Sequence, residues 1–199
     1  MRKFALLTSV CAVLLFVFAT FSQAQQVDLA GGASSLFSTK NTTASAAYPP
    51  PADQGSIYPS ASFDMIFSNR YGFNVEVAAL DKRGLYNGYQ QYRPVFYDAN
   101  VVYAPLLKGR FSLDLMAGGG VENVIYYNTF ASCKFSGGCF PHVNSDHFMF
   151  HLGAGVRYRV WRSFFVRPEA HFYRIINNTI DFHSDNVFRL GASVGYTFR

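Results

Sequence analysis

Hydrophobic and polar positions alternate strictly at the end of this chain: Leu190, Ala192, Val194, Tyr196 and Phe198 against Gly191, Ser193, Gly195 and Thr197. A side-chain period of two belongs to a β-strand with one apolar and one small or polar face. Toward the N-terminus the same test finds strands at 164–174, 147–160, 110–122, 93–104, 72–80 and 58–67. In 147–160, for instance, Phe148, Phe150, Leu152, Ala154, Val156, Tyr158 and Val160 alternate with His151, Gly153, Gly155, Arg157 and Arg159. A first strand at 26–37, with Val27, Leu29, Gly31, Ala33 and Phe37 on its apolar face, brings the count to eight.

The connections alternate in length. Segments near 68–71, 105–109 and 161–163 are short, whereas 38–57, 81–92, 122–146 and 175–185 are long and rich in polar residues, Gly, Pro or Asn. Short turns at one end and long loops at the other are the pattern of an outer-membrane barrel, whose apolar faces point outward. The fold class expected is therefore all-β, an eight-stranded antiparallel up-and-down transmembrane β-barrel.

The N-terminus agrees with export. Arg2-Lys3 precedes an almost unbroken apolar run from Phe4 to Phe21, followed by Ser22 and Ala24 as small residues at a cleavage site. Residues 1–24 thus read as a signal peptide and 25–199 as the barrel domain. An uncleaved anchor is disfavoured by the small-residue exit and by Gln25-Gln26. No second apolar run is long enough for a membrane helix, so a membrane role requires a closed barrel. The mature chain of about 175 residues suffices for one domain, and its mild basic excess gives no reason to expect nucleic acid.

Aromatic residues make up 18% of the chain, more than an ordinary core needs. Two interfacial girdles absorb the surplus. Tyr71, Phe73, Tyr103, Trp161, Phe164, Tyr196 and Phe198 are expected at the short-turn end, and Tyr58, Tyr97, Tyr126, Phe148 and Phe172 at the long-loop end.

The leader, the eight alternating strands, the short and long connections and the terminal "LGASVGYTF" resemble the OmpA/OmpX-type family of small bacterial outer-membrane barrels. That resemblance covers nearly the whole mature chain. It implies location in the bacterial outer membrane, contact with outer-membrane lipid, and an assembly signal carried by Tyr196 and Phe198 and read by the outer-membrane assembly machinery. Phe198 is here followed by Arg199.

With the apolar faces outward, the opposite faces line the lumen. Asp64, Glu76, Asp98 and Asp114 come from the second to fifth strands, and Arg157, Arg159, Arg167 and Arg189 from the sixth to eighth, with Glu169 and His171 among them. Side chains reach across so narrow a barrel. A salt-bridged plug is therefore preferred to an ion-conducting constriction.

Cys133 and Cys139 in "CKFSGGC" are the only cysteines after the leader and lie in the longest outer loop. In an exported chain such a pair reads as a disulfide, which would stabilise that loop by about 2–3 kcal/mol. His142 and His147 complete a C-x5-C-x2-H-x4-H string, but the cysteine spacing is too long for the usual zinc pattern, so no metal and no cofactor is assigned. His183-Ser184-Asp185 invites a hydrolase reading, yet adjacent residues of a strand point apart, and turn chemistry is preferred. The function expected is a structural or surface-interaction role through the outer loops, with an extracellular ligand as partner and no enzymatic activity. A narrow pore for ions or small solutes and a lipid-modifying enzyme are the alternatives.

Overall fold

The computed structural model describes residues 26–38, 55–67, 70–86, 90–134, 138–182 and 184–198, with the backbone alone at 107–108, 128–134, 138–141 and 180. The leader at 1–24, the first outer connection at 39–54, His183 and Arg199 lie outside the described residues.

Nine strands form in chain order: β1 (Gln26–Ser38), β2 (Gly55–Phe67), β3 (Tyr71–Ala79), β4 (Gly84–Tyr86), β5 (Gln90–Lys108), β6 (Phe111–Lys134), β7 (Gly138–Trp161), β8 (Phe164–Ile175) and β9 (Asn186–Phe198). Their order is β3-β2-β1-β9-β8-β7-β6-β5-β4, and a direct β3–β5 pairing closes the sheet. Every pairing is antiparallel. Eight strands thus make a closed up-and-down barrel, and the three-residue β4 adds to the outer end of β5. Closure removes the open sheet edges that lipid would leave unsatisfied.

The alternation in the sequence becomes alternation in space. Leu29, Val101, Leu152 and Val194 are exposed, while their strand neighbours Asp28, Val102, His151 and Ser193 are buried. Short steps along the chain from Phe67 to Tyr71, Lys108 to Phe111 and Trp161 to Phe164 define one end, where Gly109 takes a left-handed φ of 62° that a side chain would resist. Both termini of the barrel lie at this end, since Val27 pairs with Phe198.

The structure departs from the alternation pattern at the outer ends of β6 and β7 and at two tyrosines. The span 122–146, read as a loop, carries β6 and β7 on to residues 134 and 138. The pairing runs through Val124↔Ser145 and Tyr126↔Val143, because the β-branched and aromatic residues of β6 keep a strand-compatible ladder where Asn123 and Asp146 break the apolar pattern. Above Met149↔Ile175 this ribbon has no β8 beside it. Tyr58 and Tyr126, assigned to the outer girdle, face inward instead. Tyr58 is buried edge-to-face on Phe96, and Tyr126 stands edge-on to Tyr86. Both sit on the inward parity of their strands, which outweighs their aromatic character.

Candidate functional site

The registers of β7, β8 and β9 rank the inward side chains from the short-turn end upward. On β8 the sequence is Phe165, Arg167, Glu169, His171, Tyr173 and Ile175, all buried. The lower and middle lumen is charged and the upper lumen apolar.

At the bottom, Arg157 of β7 reaches across the barrel. Its Nη1 lies 2.5 Å from Asp28 Oδ2 on β1, and its Nη2 lies 2.9 Å from Asp114 Oδ2 on β6 and 3.6 Å from Asp64 Oδ2 on β2. The guanidinium also covers the Phe165 ring at 4.7 Å, a stacking that suits its planar, weakly hydrated charge. Arg159 is only half-buried and reaches Gln26 Oε1 at 3.4 Å.

One layer up, Arg167 donates from Nη1 to Asp64 Oδ2 at 2.7 Å, from Nε to Glu169 Oε2 at 2.9 Å and from Nη2 to Ser62 Oγ at 3.0 Å. Arg189 donates to Glu76 Oε1 at 2.5 Å. Asn74 closes the layer by donating to Asp64 Oδ1 at 2.6 Å. Small residues make room for these long ones. A Cβ on Gly155 would press on the Arg167 stem at 3.1 Å, in keeping with the large and small alternation inside narrow barrels.

Beside them runs a chain of polar side chains. Asn100 donates through Nδ2 to Asp98 Oδ1 at 2.5 Å and to Asn74 Oδ1 at 2.9 Å. Its Oδ1 lies 2.6 Å from His151 Nδ1, and His151 Nε2 lies 2.9 Å from His171 Nδ1. The imidazoles stack with each other and with Tyr173.

The buried charges do not balance. Among the described residues of the charged layers, Asp28, Asp64, Glu76, Asp98, Asp114 and Glu169 face Arg157, Arg167 and Arg189 as buried guanidiniums. Six carboxylates against three guanidiniums leave this interior attractive to protons and cations.

Above the charged layers, Leu36, Tyr58, Ala78, Leu80, Phe96, Met149, Ile175 and Val187 join Tyr173 in one apolar cluster drawn from β1, β2, β3, β5, β7, β8 and β9, with Leu80 just past β3. The β8–β9 connection then crosses the mouth. Strands β9 and β5 stand on opposite sides of the barrel, yet Phe182 is buried 5.7 Å from Tyr92 and 6.2 Å from Tyr86, ring to ring. Tyr86 donates to the Asp181 carbonyl at 2.6 Å, and the Asp181 carboxylate lies 2.8 Å from His147 Nε2. Outside the span, burial and then the Asp181 carboxylate push the Tyr126 phenol above its usual range.

Ser145, His147 and Asp181 do not make a catalytic triad. The serine hydroxyl and the carboxylate both meet Nε2 of His147, at 3.0 and 2.8 Å, whereas a relay needs one on each ring nitrogen. Ser184 is buried in turn hydrogen bonds with Asn186. At the ribbon tip the backbone register sets Cys133 opposite Cys139. Tyr196 and Phe198 are partly exposed on the outer wall at the short-turn end, their rings 4.8 Å apart.

The structure brings Asp64, Glu76, Asp98, Asp114, Arg157, Arg167, Glu169, His171 and Arg189 into one interior. Ser62, Asn74, Asn100, Glu122 and His151, all of inward parity, stand with them, as does Asp28, which was not singled out, while His147, weighed as part of the zinc string, meets Asp181 at the mouth. Inward parity was the available signal. Asp28 sits between outward Val27 and Leu29, and His151 between outward Phe150 and Leu152.

No family model matches the chain, and no curated protein matches it. Solved structures do. Ail, the attachment invasion locus protein of Yersinia pestis, in complex with the heparin analogue sucrose octasulfate, matches with a TM-score of 0.59 at 13% identity, over 87% of this chain and 98% of that one. The N-terminal β-barrel domain of Pseudomonas aeruginosa OprF gives 0.57 at 12% identity, over 88% and 98%. Neisserial surface protein A gives 0.57 at 11% identity, over 87% and 96%. The chain has the fold of small bacterial outer-membrane β-barrels.

Proposed function

We propose that this chain is an exported outer-membrane barrel, cleaved after Ala24, that serves as a structural and surface-interaction protein through its outer connections. The observation that carries this reading is the division of the molecule into a filled interior and an extended exterior. Arg157, Arg167 and Arg189 are almost completely buried and paired across the lumen, Phe96 and Phe182 are buried above them, and β6 and β7 continue beyond the barrel as a two-stranded ribbon. A filled lumen speaks against a pore, and the shared nitrogen of His147 speaks against serine catalysis at the mouth. The girdle around the short-turn end, with Trp161 and Phe164 stacked and Phe164 against Tyr196, suits an interface with lipid headgroups. Tyr196 and Phe198 would present the assembly signal there.

The ribbon tip carries a disulfide in this reading. Directly opposed strand positions have Cα separations of about 4.5–5.5 Å, within the range a disulfide bridges. Alkylation of the mature protein before and after reduction should find Cys133 and Cys139 blocked until the reductant is added.

The decisive experiment combines gel mobility with and without boiling, on protein from isolated outer membranes, and conductance in planar bilayers. The expected result is a heat-dependent mobility shift without channels, a mature chain starting at Gln25, and cleavage at the ribbon tip when protease is added to intact cells. A soluble protein with no shift, or a barrel with steady single-channel conductance, would overturn the reading.

A further inference from the structure

Midway up the lumen, Glu76 on β3 and Glu169 and His171 on β8 each offer a ligand atom within 4.8 Å of the other two. Each carboxylate spends one oxygen on an arginine: Glu76 Oε1 on Arg189 and Glu169 Oε2 on Arg167. Glu76 Oε2 is buried without a hydrogen-bond partner, and so is His171 Nε2, which lies 3.9 Å from Glu169 Oε1.

The protonation of His171 follows from the network behind it. Asn100 gives its amide hydrogens to Asp98 and Asn74, so its Oδ1 can only accept, and His151 Nδ1 must carry the proton between them. In the neutral ring His151 Nε2 is then an acceptor, and it takes the hydrogen on His171 Nδ1. That leaves His171 Nε2 as a bare lone pair, buried, facing a carboxylate and donated to by nothing. Buried lone pairs without a donor, as at Glu76 Oε2 and His171 Nε2, repel one another and the nearby Glu169 carboxylate in a medium of low dielectric. A cation at their centre reverses the sign of all three contacts.

We propose that Glu76, Glu169 and His171 bind a divalent first-row metal ion of the zinc class inside the barrel. One imidazole nitrogen and two carboxylate oxygens make a usual donor set for such an ion, with a fourth position for water. The chain from His171 through His151 to Asn100 is the outer-shell support that fixes a ligating histidine in the required tautomer. Gly153 protects that support, because a Cβ there would lie 3.1 Å from both His151 Nε2 and His171 Nδ1. The excess of buried carboxylates supplies the charge. With the apolar cluster above and the ion pairs below, the ion is loaded as the barrel folds.

The test is to refold the mature chain into detergent micelles with Zn2+ or with EDTA, then dialyse and measure bound metal and the temperature at which the compact band is lost. Expected are one zinc per barrel and a rise in that temperature of about 5 °C. His171→Gln should weaken binding more than tenfold. His151→Gln, which removes only the supporting ring, should weaken it about 10–100-fold. A chain with Cys133→Ser, Cys139→Ser and His147→Gln should bind as the parent does, which separates this site from the outer connections. Should His171→Gln fail to fold, Co2+ in the parent barrel decides by its visible absorption, which a tetrahedral nitrogen and oxygen site displays. No metal in the parent, or equal binding by His171→Gln, overturns the proposal.

Discussion

The lower and upper halves of the lumen fill the same barrel by opposite means. Below, Arg157, Arg167 and Arg189 reach across and hold carboxylates on distant strands. Above, Phe96, Tyr58, Met149 and Ile175 meet without charge. The lower half is directional, and each group is tolerable only while its partners stay in place. The upper half is held by volume, and its failure is graded with the space left behind. Interiors of equal density can therefore differ in how abruptly they break.

The largest effect is expected from Arg157→Ala, which leaves Asp28 and Asp114 buried without their guanidinium and Asp64 with Arg167 alone. A loss of about 3–5 kcal/mol is anticipated, read as a lower temperature for loss of the compact band. Adding Asp28→Asn and Asp114→Asn, with Asp64 kept for Arg167, should recover much of it. If the single variant is as stable as the parent, the lower half is held by packing as the upper half is.

Phe96→Ala should come next. Removing a wholly buried ring that touches Tyr58 and Tyr173 costs about 3–4 kcal/mol. No conductance should appear, because the charged layers beneath remain closed. Channels in this variant alone would assign the seal to the apolar half.

A smaller change is expected at the mouth. Phe182→Ala releases the β8–β9 connection from Tyr86 and Tyr92, and hydrogen exchange should quicken at Val187 and Ile175 while Ser193 stays protected. Gly153→Ala should be the mildest in stability, about 1 kcal/mol, since the imidazoles need move only a few tenths of an ångström. Its larger signature is a shift of the His151 and His171 ring resonances, with those of His147 unmoved.

The wall was legible in the sequence because each strand reports its own two faces. Val101 outward and Asn100 inward need no knowledge of any other strand. The lower lumen was legible as a set of charges but not as pairs. That Arg157 meets Asp28, Asp64 and Asp114 depends on shear and strand order, which put β1, β2 and β6 at the same height. The upper cluster was obscured because Tyr58 and Met149 are inward apolar residues on strands whose outward faces are apolar too. Glu76 and His171 lie on β3 and β8, so no local spacing could announce them as neighbours. Spacing along the chain points to no metal here and offers only the string of Cys133, Cys139, His142 and His147 at the ribbon. The ribbon itself was hidden because its polar cross-strand pairs, Asn123↔Asp146 and Glu122↔His147, look like loop composition when read one strand at a time.

The seam between β1 and β9 has a kinetic meaning. Every other pair of neighbouring wall strands is joined by a short hairpin or lies close in sequence, but this one matches Val27 with Phe198 and continues to Ser38↔Val187. It joins the beginning of the described chain to its end, so it carries the greatest cost of loop closure and cannot start before the last strand exists. Until then both edges are open ladders with apolar faces, the state most exposed to wrong pairing. The rate at which this barrel matures should follow the fate of its final dozen residues, and a chain shortened there should accumulate as an unclosed sheet.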